Sequence, residues 1–249
     1  MNIVLLEPGE IGAPLPRADQ RAQHILGVLR RSIGESFVAG LVNGPVGTAT
    51  LAAATATSIT LSFVATHEPP PPPSIVLLAG LPRPQTARDL LRDATTLGVS
   101  RIHFVATERA DPNYAASVLW TTGEWRRRVL AGAAQACDTR LPEVTWTHTL
   151  ASALAREASA KQTRLALDNY EATIPLADAL AVRFENRESE SVNSAAPLVL
   201  ALGPERGWGP TDRDQLRAAG FTLCSLGQRV LRLETAVIAA LALAHHARV

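Results

Sequence analysis

Pro197-Leu-Val-Leu-Ala-Leu202 is an apolar, strand-like run that ends in the turn Gly203-Pro204-Glu205-Arg206-Gly207-Trp208-Gly209. The pattern then repeats. Phe221-Thr-Leu-Cys-Ser225 reads as another strand, and it runs through Leu226, Gly227, Arg229, Val230, Leu231 and Arg232 into a helix-like segment containing Glu234 and Ala236. In a doubly wound sheet, ligands gather outside the carboxyl ends of the strands, where glycines admit close backbone approach and helix N-termini present free N–H groups. Two such turns at successive strand ends therefore point to one ligand pocket.

Working outward, strand and helix alternate through the C-terminal two thirds. Strands are expected at 75–79, 102–106, near Val144, at 164–167, 198–202 and 221–225. Helices are expected at 86–97, closed by Gly98, at about 115–137, at 150–160, at 174–181 and from about Leu233. Thr211-Asp-Arg-Asp214 reads as a capping box with Thr211 as N-cap, and Gly220 as the glycine closing that helix. Such alternation predicts a mostly parallel sheet covered on both faces.

Upstream of His67-Glu-Pro-Pro-Pro-Pro-Pro73 the character changes, because a proline run joins neither a helix interior nor a sheet ladder. Short Val-, Thr- and Leu-rich pieces at 36–42, 47–53 and 58–65, separated by turn signals, predict a small antiparallel barrel or sheet. Residues 19–31 read as one short basic helix with Ile25, Val28 and Leu29 on its apolar side. The expected organisation is an N-terminal domain 1–68, a proline linker 69–73 and a C-terminal domain 74–249.

Composition bounds the remaining possibilities. The 249 residues are 47% hydrophobic and 19% charged, as in a soluble globular protein. A net charge of +1 gives no whole-molecule argument for or against a nucleic-acid partner. Cys137 and Cys224 lack zinc or disulfide spacing and read as reduced core thiols. No metal site is expected. The N-terminus lacks a basic start, and 237–244 is far shorter than the roughly 20 apolar residues of a membrane span, so a cytoplasmic protein without a membrane partner is expected. Trp120, Trp125 and Trp146 read as core or interface residues, and Trp208 stands beside the glycine turn. Neither G-x-G-x-x-G nor G-x-x-x-x-G-K-[ST] occurs, which weakens dinucleotide and P-loop readings.

The two glycine turns carry a resemblance. Gly203-Pro204-Glu205 and Ser225-Leu-Gly-Gln-Arg-Val-Leu-Arg-Leu-Glu-Thr-Ala236 resemble the paired signature I-G-P-E-G-G and S-L-G-x-R-I-L-R-x-E-T-A of the RsmE family, the ribosomal small-subunit uridine-N3 methyltransferases of the SPOUT superfamily. Further echoes lie at His24-Ile-Leu-Gly-Val-Leu-Arg30, Leu97-Gly-Val-Ser-Arg101, Glu108-Arg109, and Gln135 with Arg140-Leu-Pro142. The resemblance spans the full chain. It implies an α/β fold with a C-terminal SPOUT-type domain containing a trefoil knot, a small N-terminal PUA-like β-barrel that grips RNA, and a homodimer.

It also implies S-adenosylmethionine as cofactor, held by Leu202, Gly203, Pro204, Glu205, Gly207, Ser225, Leu226, Gly227, Val230 and Leu231. Methylating a uracil nitrogen requires removal of the N3 proton and stabilisation of the resulting charge. Arg232 suits the second task and Glu205 or Glu234 the first, although Glu234 also suits a helix N-terminus and Glu205 a turn. Arg21, His24, Arg30, Arg109, Arg140 and Arg229 are the implied contacts to ribosomal RNA or the small subunit.

Four positions depart from the pattern. Arg206 stands where the first motif has a glycine, Asp93 where a basic residue is usual, Thr96 in place of a glutamate and Asp138 where the family has arginine. Acids facing phosphate weaken RNA binding. The sequence therefore leaves open a divergent paralogue that keeps the fold and the cofactor without this methylation, and a different small-molecule enzyme on an ordinary doubly wound fold.

Overall fold

The computed structural model describes residues 2–159, 162–184 and 197–247, with the side chains of residues 183 and 184 left aside. The chain forms two compact units. One comprises Met1–Pro71 with Ala133–Leu141, the other Pro72–Gly132 with Pro142–Val249.

The first unit is built on a curled five-stranded sheet of β1 (Val4–Leu6), β2 (Pro14–Pro16), β3 (Ser36–Leu41), β4 (Val46–Ala54) and β5 (Ser58–His67), in the order β1-β3-β4-β5-β2. β1 runs parallel to β3 and the remaining pairs are antiparallel. The prolines of β2 are tolerated because that strand lies at the sheet edge. Alternating side chains of the strands enclose a core that includes Leu6, Ile25, Phe37, Leu51, Ile59 and Leu61.

The expected single helix over 19–31 is corrected by the structure. Asp19 caps a short α1 (Gln20–Gln23), accepting from the Arg21 backbone N–H at 2.8 Å. A π turn (His24–Val28) follows, closed by Leu29 N–H to the His24 carbonyl at 2.9 Å, and Arg30 then takes φ 51°. Gly27, a poor helix former, sits in that turn, and the left-handed Arg30 ends it. Residues 133–141 are stitched to this unit by backbone bonds, Ile3 to Ala134 (3.1 Å) and Asn43 to Thr139 (2.8 Å).

The second unit holds a seven-stranded sheet. Its strands are β6 (Ile75–Gly80), β7 (Arg101–Ala106), β8 (Glu143–Thr149), β9 (Thr163–Leu167), β10 (Ile174–Pro175), β11 (Leu198–Leu202) and β12 (Thr222–Ser225), in the order β10-β12-β9-β11-β6-β7-β8. Every pair is parallel. The central β6 and β11 are buried along their whole length, as strands covered on both faces must be. The helices are α2 (Pro84–Thr96), α3 (Val118–Thr121), α4 (Glu124–Gln135), α5 (Leu150–Arg156), α6 (Leu176–Phe184), α7 (Pro210–Ala218) and α8 (Leu233–His246). Leu150, Ala153, Leu216 and Phe221 pack with Val76, Leu78, Val199 and Ala201 in one core cluster, while α2 and α8 pack together.

Several local expectations are revised. The helix expected over 115–137 is a 3-10 turn (Pro112–Ala116) followed by α3 and α4, broken at Gly123, whose φ of 73° leaves the helical region. The helix expected over 150–160 ends at Arg156, and Ala160 lies outside the described residues. The segment at 174–181 begins as a short strand before α6. The N-cap of α7 is Gly209 rather than Thr211, because Pro210, with its preset φ and missing N–H, occupies the first helical position. Gly220 does take the left-handed conformation after α7, at φ 78°. Cys224 is buried as expected, but Cys137 is exposed at φ 56°, beyond the end of α4. Trp120 stacks on Trp146 at 4.9 Å between ring centroids, with Phe104 and Trp125 beside them, and Trp208 is fully buried.

Candidate active site

Because all seven strands are parallel, the loops leaving their carboxyl ends share one edge of the sheet. Three of them, after β9, β11 and β12, enclose a cleft of about 360 Å³.

The loop after β11 is shaped by its glycines. A Cβ on Gly203 would lie 2.8 Å from the Gly207 carbonyl carbon and the Trp208 nitrogen, and Gly207 itself has φ 68°. Gly207 N–H donates to the Pro204 carbonyl at 2.7 Å, closing the turn. Trp208 turns inward and donates from Nε1 to the Leu167 carbonyl at 2.9 Å, which fastens this loop to the end of β9. Glu205 accepts from the Arg83 backbone N–H at 3.1 Å and lies 3.3 Å from Arg83 Nε. The start of α7 is equally constrained. Asp212 is buried and accepts from the backbone N–H groups of Gly209 and Glu108, while Glu108 accepts in return from Thr211 N–H.

The loop after β9 supplies a wall that the motif reading did not include: Asp168, Asn169 and Tyr170. Buried Asp168 accepts from Tyr170 N–H (2.8 Å), Glu171 N–H (2.6 Å) and Arg213 Nε (2.8 Å). Removing Arg213 would leave that carboxylate buried without its counter-charge, the costly way to break such a pair. The signal was present, since an Asp-Asn turn ends a strand here just as the glycine turns end theirs. Cys224 also lines the cleft, and burial pushes its thiol up to about 11, so it stays protonated and inert near neutrality.

Of the residues singled out from sequence, the cleft brings together Leu202, Gly203, Pro204, Glu205, Gly207, Leu226, Val230 and Leu231, with Arg229, Arg232 and Glu234. Ser225 and Gly227 flank Leu226 without lining it. Arg232 is the N-cap of α8, and Glu234 lies in the first turn of that helix. Arg206 does not line this cleft. Arg109 lies beside it and donates from Nη1 to the Arg206 carbonyl at 3.0 Å.

The other implied RNA contacts belong to the first unit. Arg21 pairs with Glu10 (2.6 Å) and Asp19 (2.8 Å), which holds both carboxyls below the usual carboxylate range. Arg140 donates to the Pro69 carbonyl at 2.7 Å, Asp138 accepts from the Arg140 backbone N–H, and Arg30 is exposed. Asp93, on α2 of the second unit, pairs with Arg92 at 2.7 Å.

Chemically, the cleft combines apolar walls (Leu202, Leu226, Leu231), close-lying loop backbone, and both acids and arginines at its margin. Its size and lining suit a small, partly apolar ligand with charged ends. Among the described residues no group of three His, Cys, Asp or Glu side chains is placed to hold a metal, and no helix is long and apolar enough to cross a membrane.

A parallel sheet with this cleft at its carboxyl edge defines a class, and residues 69–245 match the family model described as an RNA methyltransferase domain. Across 97% of its length the chain is 33% identical to the ribosomal RNA small subunit methyltransferase E of Treponema pallidum, covering 90% of that protein. The chain belongs to the RsmE-type RNA methyltransferase family. A crystal structure of a ribosomal RNA small subunit methyltransferase E from Neisseria gonorrhoeae bound to S-adenosyl methionine superposes with a TM-score of 0.72 at 25% identity, covering 97% of this chain and 95% of that one. A methyltransferase structure from Legionella pneumophila shares the fold, with a TM-score of 0.75 at 23% identity over 99% of this chain and 98% of that one.

Proposed function

We propose that this chain is an S-adenosylmethionine-dependent methyltransferase that methylates N3 of a uridine in 16S ribosomal RNA, working as a homodimer in the cytoplasm. The observation that carries the reading is the joining of the two glycine-turn motifs, 202–207 and 225–236, in one cleft. The fit is supported by the Gly203 loop, which is folded so tightly on Gly207 and Trp208 that it has no room for a side chain at Gly203, and by the apolar walls with charged margins around it. Leu202, Gly203, Pro204, Glu205, Gly207, Leu226, Val230 and Leu231 hold the cofactor, Ser225 and Gly227 set the turn that presents Leu226, and Asp168, Asn169 and Tyr170 form a third wall. Bound there, S-adenosylmethionine supplies an electrophilic methyl group.

The chain's own residues do the rest. Arg232 stabilises the negative charge that develops on the uracil ring as its N3 proton leaves. Glu234 is the better placed acceptor for that proton, since Glu205 is engaged by Arg83. The N-terminal domain 1–68, read as a PUA-like barrel and joined through linker 69–73 to a knotted domain 74–249, grips RNA through His24 and Arg30, with Arg140, Arg109 and Arg229 along the rest of the chain. Arg21, saturated by Glu10 and Asp19, shapes the turn that carries His24.

The position of Arg206 outside the cleft lining weighs against the divergent-paralogue reading, which rested partly on a long side chain standing where the cofactor motif has glycine. The test is mass spectrometry of ribosomal RNA nucleosides from wild-type and deletion cells, together with methyl transfer by the purified protein to small subunits from the deletion strain. Loss of one 3-methyluridine per 16S RNA, restored in vitro, is expected; an unchanged level refutes the reaction.

A further inference from the structure

The loop after β11 faces two hollows. Arg83, Pro204 and Glu205 border both, but Arg206 borders only the second, a depression of about 500 Å³ that also involves Leu81, Glu108, Arg109, Asp111 and Tyr114. Its acids are held in place by hydrogen bonds, and Glu205 is also ion-paired with Arg83. Glu205 accepts from Arg83, Glu108 from Thr211 N–H, and Asp111 at its rim from Asn113 N–H. The cations are not equally committed. Among the described residues neither Arg109 nor Arg206 has an ion-pair partner, and Arg109 uses one N–H group on the Arg206 carbonyl. That bond brings the Arg109 guanidinium to the Arg206 backbone, and the exposed Arg206 and half-buried Tyr114 line the same depression, one loop away from the cofactor cleft.

We propose that this depression binds a backbone phosphate of the RNA strand next to the target nucleotide, with Arg109 and Arg206 as its guanidinium pair and Tyr114 offering its ring to the adjoining base. Guanidinium groups match phosphate oxygens in geometry and charge, and unstacked bases of single-stranded RNA settle on aromatic faces. The Pro204–Glu205 wall common to both hollows sets the distance between anchored phosphate and reacting base. Arg206, which stands where the family motif has glycine, thus adds a cation to the substrate side rather than obstructing the cofactor side. The inference rests on the RNA methyltransferase reading and deepens it.

The test uses the full chain and small ribosomal subunits from the deletion strain, comparing wild type with Arg206→Gly and Arg206→Glu. The wild type is expected to transfer methyl groups to RNA. Arg206→Gly should raise KM for the subunits roughly tenfold with kcat nearly unchanged, and flatten the slope of log affinity against log salt by about 0.7, the value of one lost phosphate contact. Arg206→Glu should be weaker still, and calorimetric affinity for S-adenosylmethionine should be the same in all three. Wild-type transfer with KM and salt slope unaltered in Arg206→Gly overturns the phosphate site alone. Absence of RNA methylation by the wild type overturns the functional reading and the phosphate site with it.

Discussion

Gly203 shows how far a single residue constrains this protein. The carbonyl carbon of Gly207 and the nitrogen of Trp208 stand 2.8 Å from where its Cβ would be, and both are backbone, so neither can swing aside. Gly203→Leu is therefore expected to open the turn, at an overpacking cost of about 1–3 kcal/mol. Titration calorimetry should show S-adenosylmethionine affinity reduced at least about 100-fold, equivalent to about 2.8 kcal/mol, with near-ultraviolet circular dichroism still native. Unchanged affinity would move the pocket elsewhere. The importance of this glycine was legible from sequence because a strand running into Gly-Pro has few conformations to choose from. Arg206, three residues on, was not legible in the same way. Its identity announced a long cation beside the loop, but which hollow the residue borders depends on how the turn closes.

At the scale of elements, α7 is the clearest case of structure settling what pattern left ambiguous. Thr211 and Gly209 both precede a plausible helical stretch, and an acid lies three residues after either. Pro210 decides between them, and Asp212 then satisfies two backbone N–H groups, one of them from Glu108 in the loop after β7. A cap that also ties two loops together contributes more than an ordinary one. Asp212→Ala is expected to cost about 2 kcal/mol in urea denaturation, while Thr211→Ala, the residue favoured by pattern alone, should cost well under 1 kcal/mol. The loop after β9 tells a similar story. Its Asp-Asn turn carried no glycine signature, and only the pairing of β9 between β11 and β12 puts Asp168 and Tyr170 on the cleft.

Across the whole molecule, one buried group gives stability a dependence on pH. His103 is fully buried in the sheet, with Thr145 Oγ1 2.8 Å from Nδ1 and Glu157 Oε1 3.1 Å from Nε2. Burial holds it below the ordinary histidine range, and the Glu157 contact offsets this only in part. The unfolded chain therefore takes up a proton near pH 6.5 that the folded chain still refuses, so stability is full above that pH and is lost as pH falls toward the folded value. Urea midpoints should drop between pH 7.5 and 5.5 by the equivalent of up to about 1.4 kcal/mol, and His103→Gln should remove that part of the drop. The alternation of strand and helix that makes the parallel sheet, and the two motifs that build the cleft, were determined by sequence alone, because hydrophobic periodicity and glycine turns act over a few residues. The tertiary structure decided what depends on distant neighbours. It placed 133–141 in the first unit, buried Trp208 against Leu167, added the Asp168 loop to the cleft and turned Arg206 toward the second hollow. Each of these depends on contacts between segments far apart in sequence, which no local pattern connects.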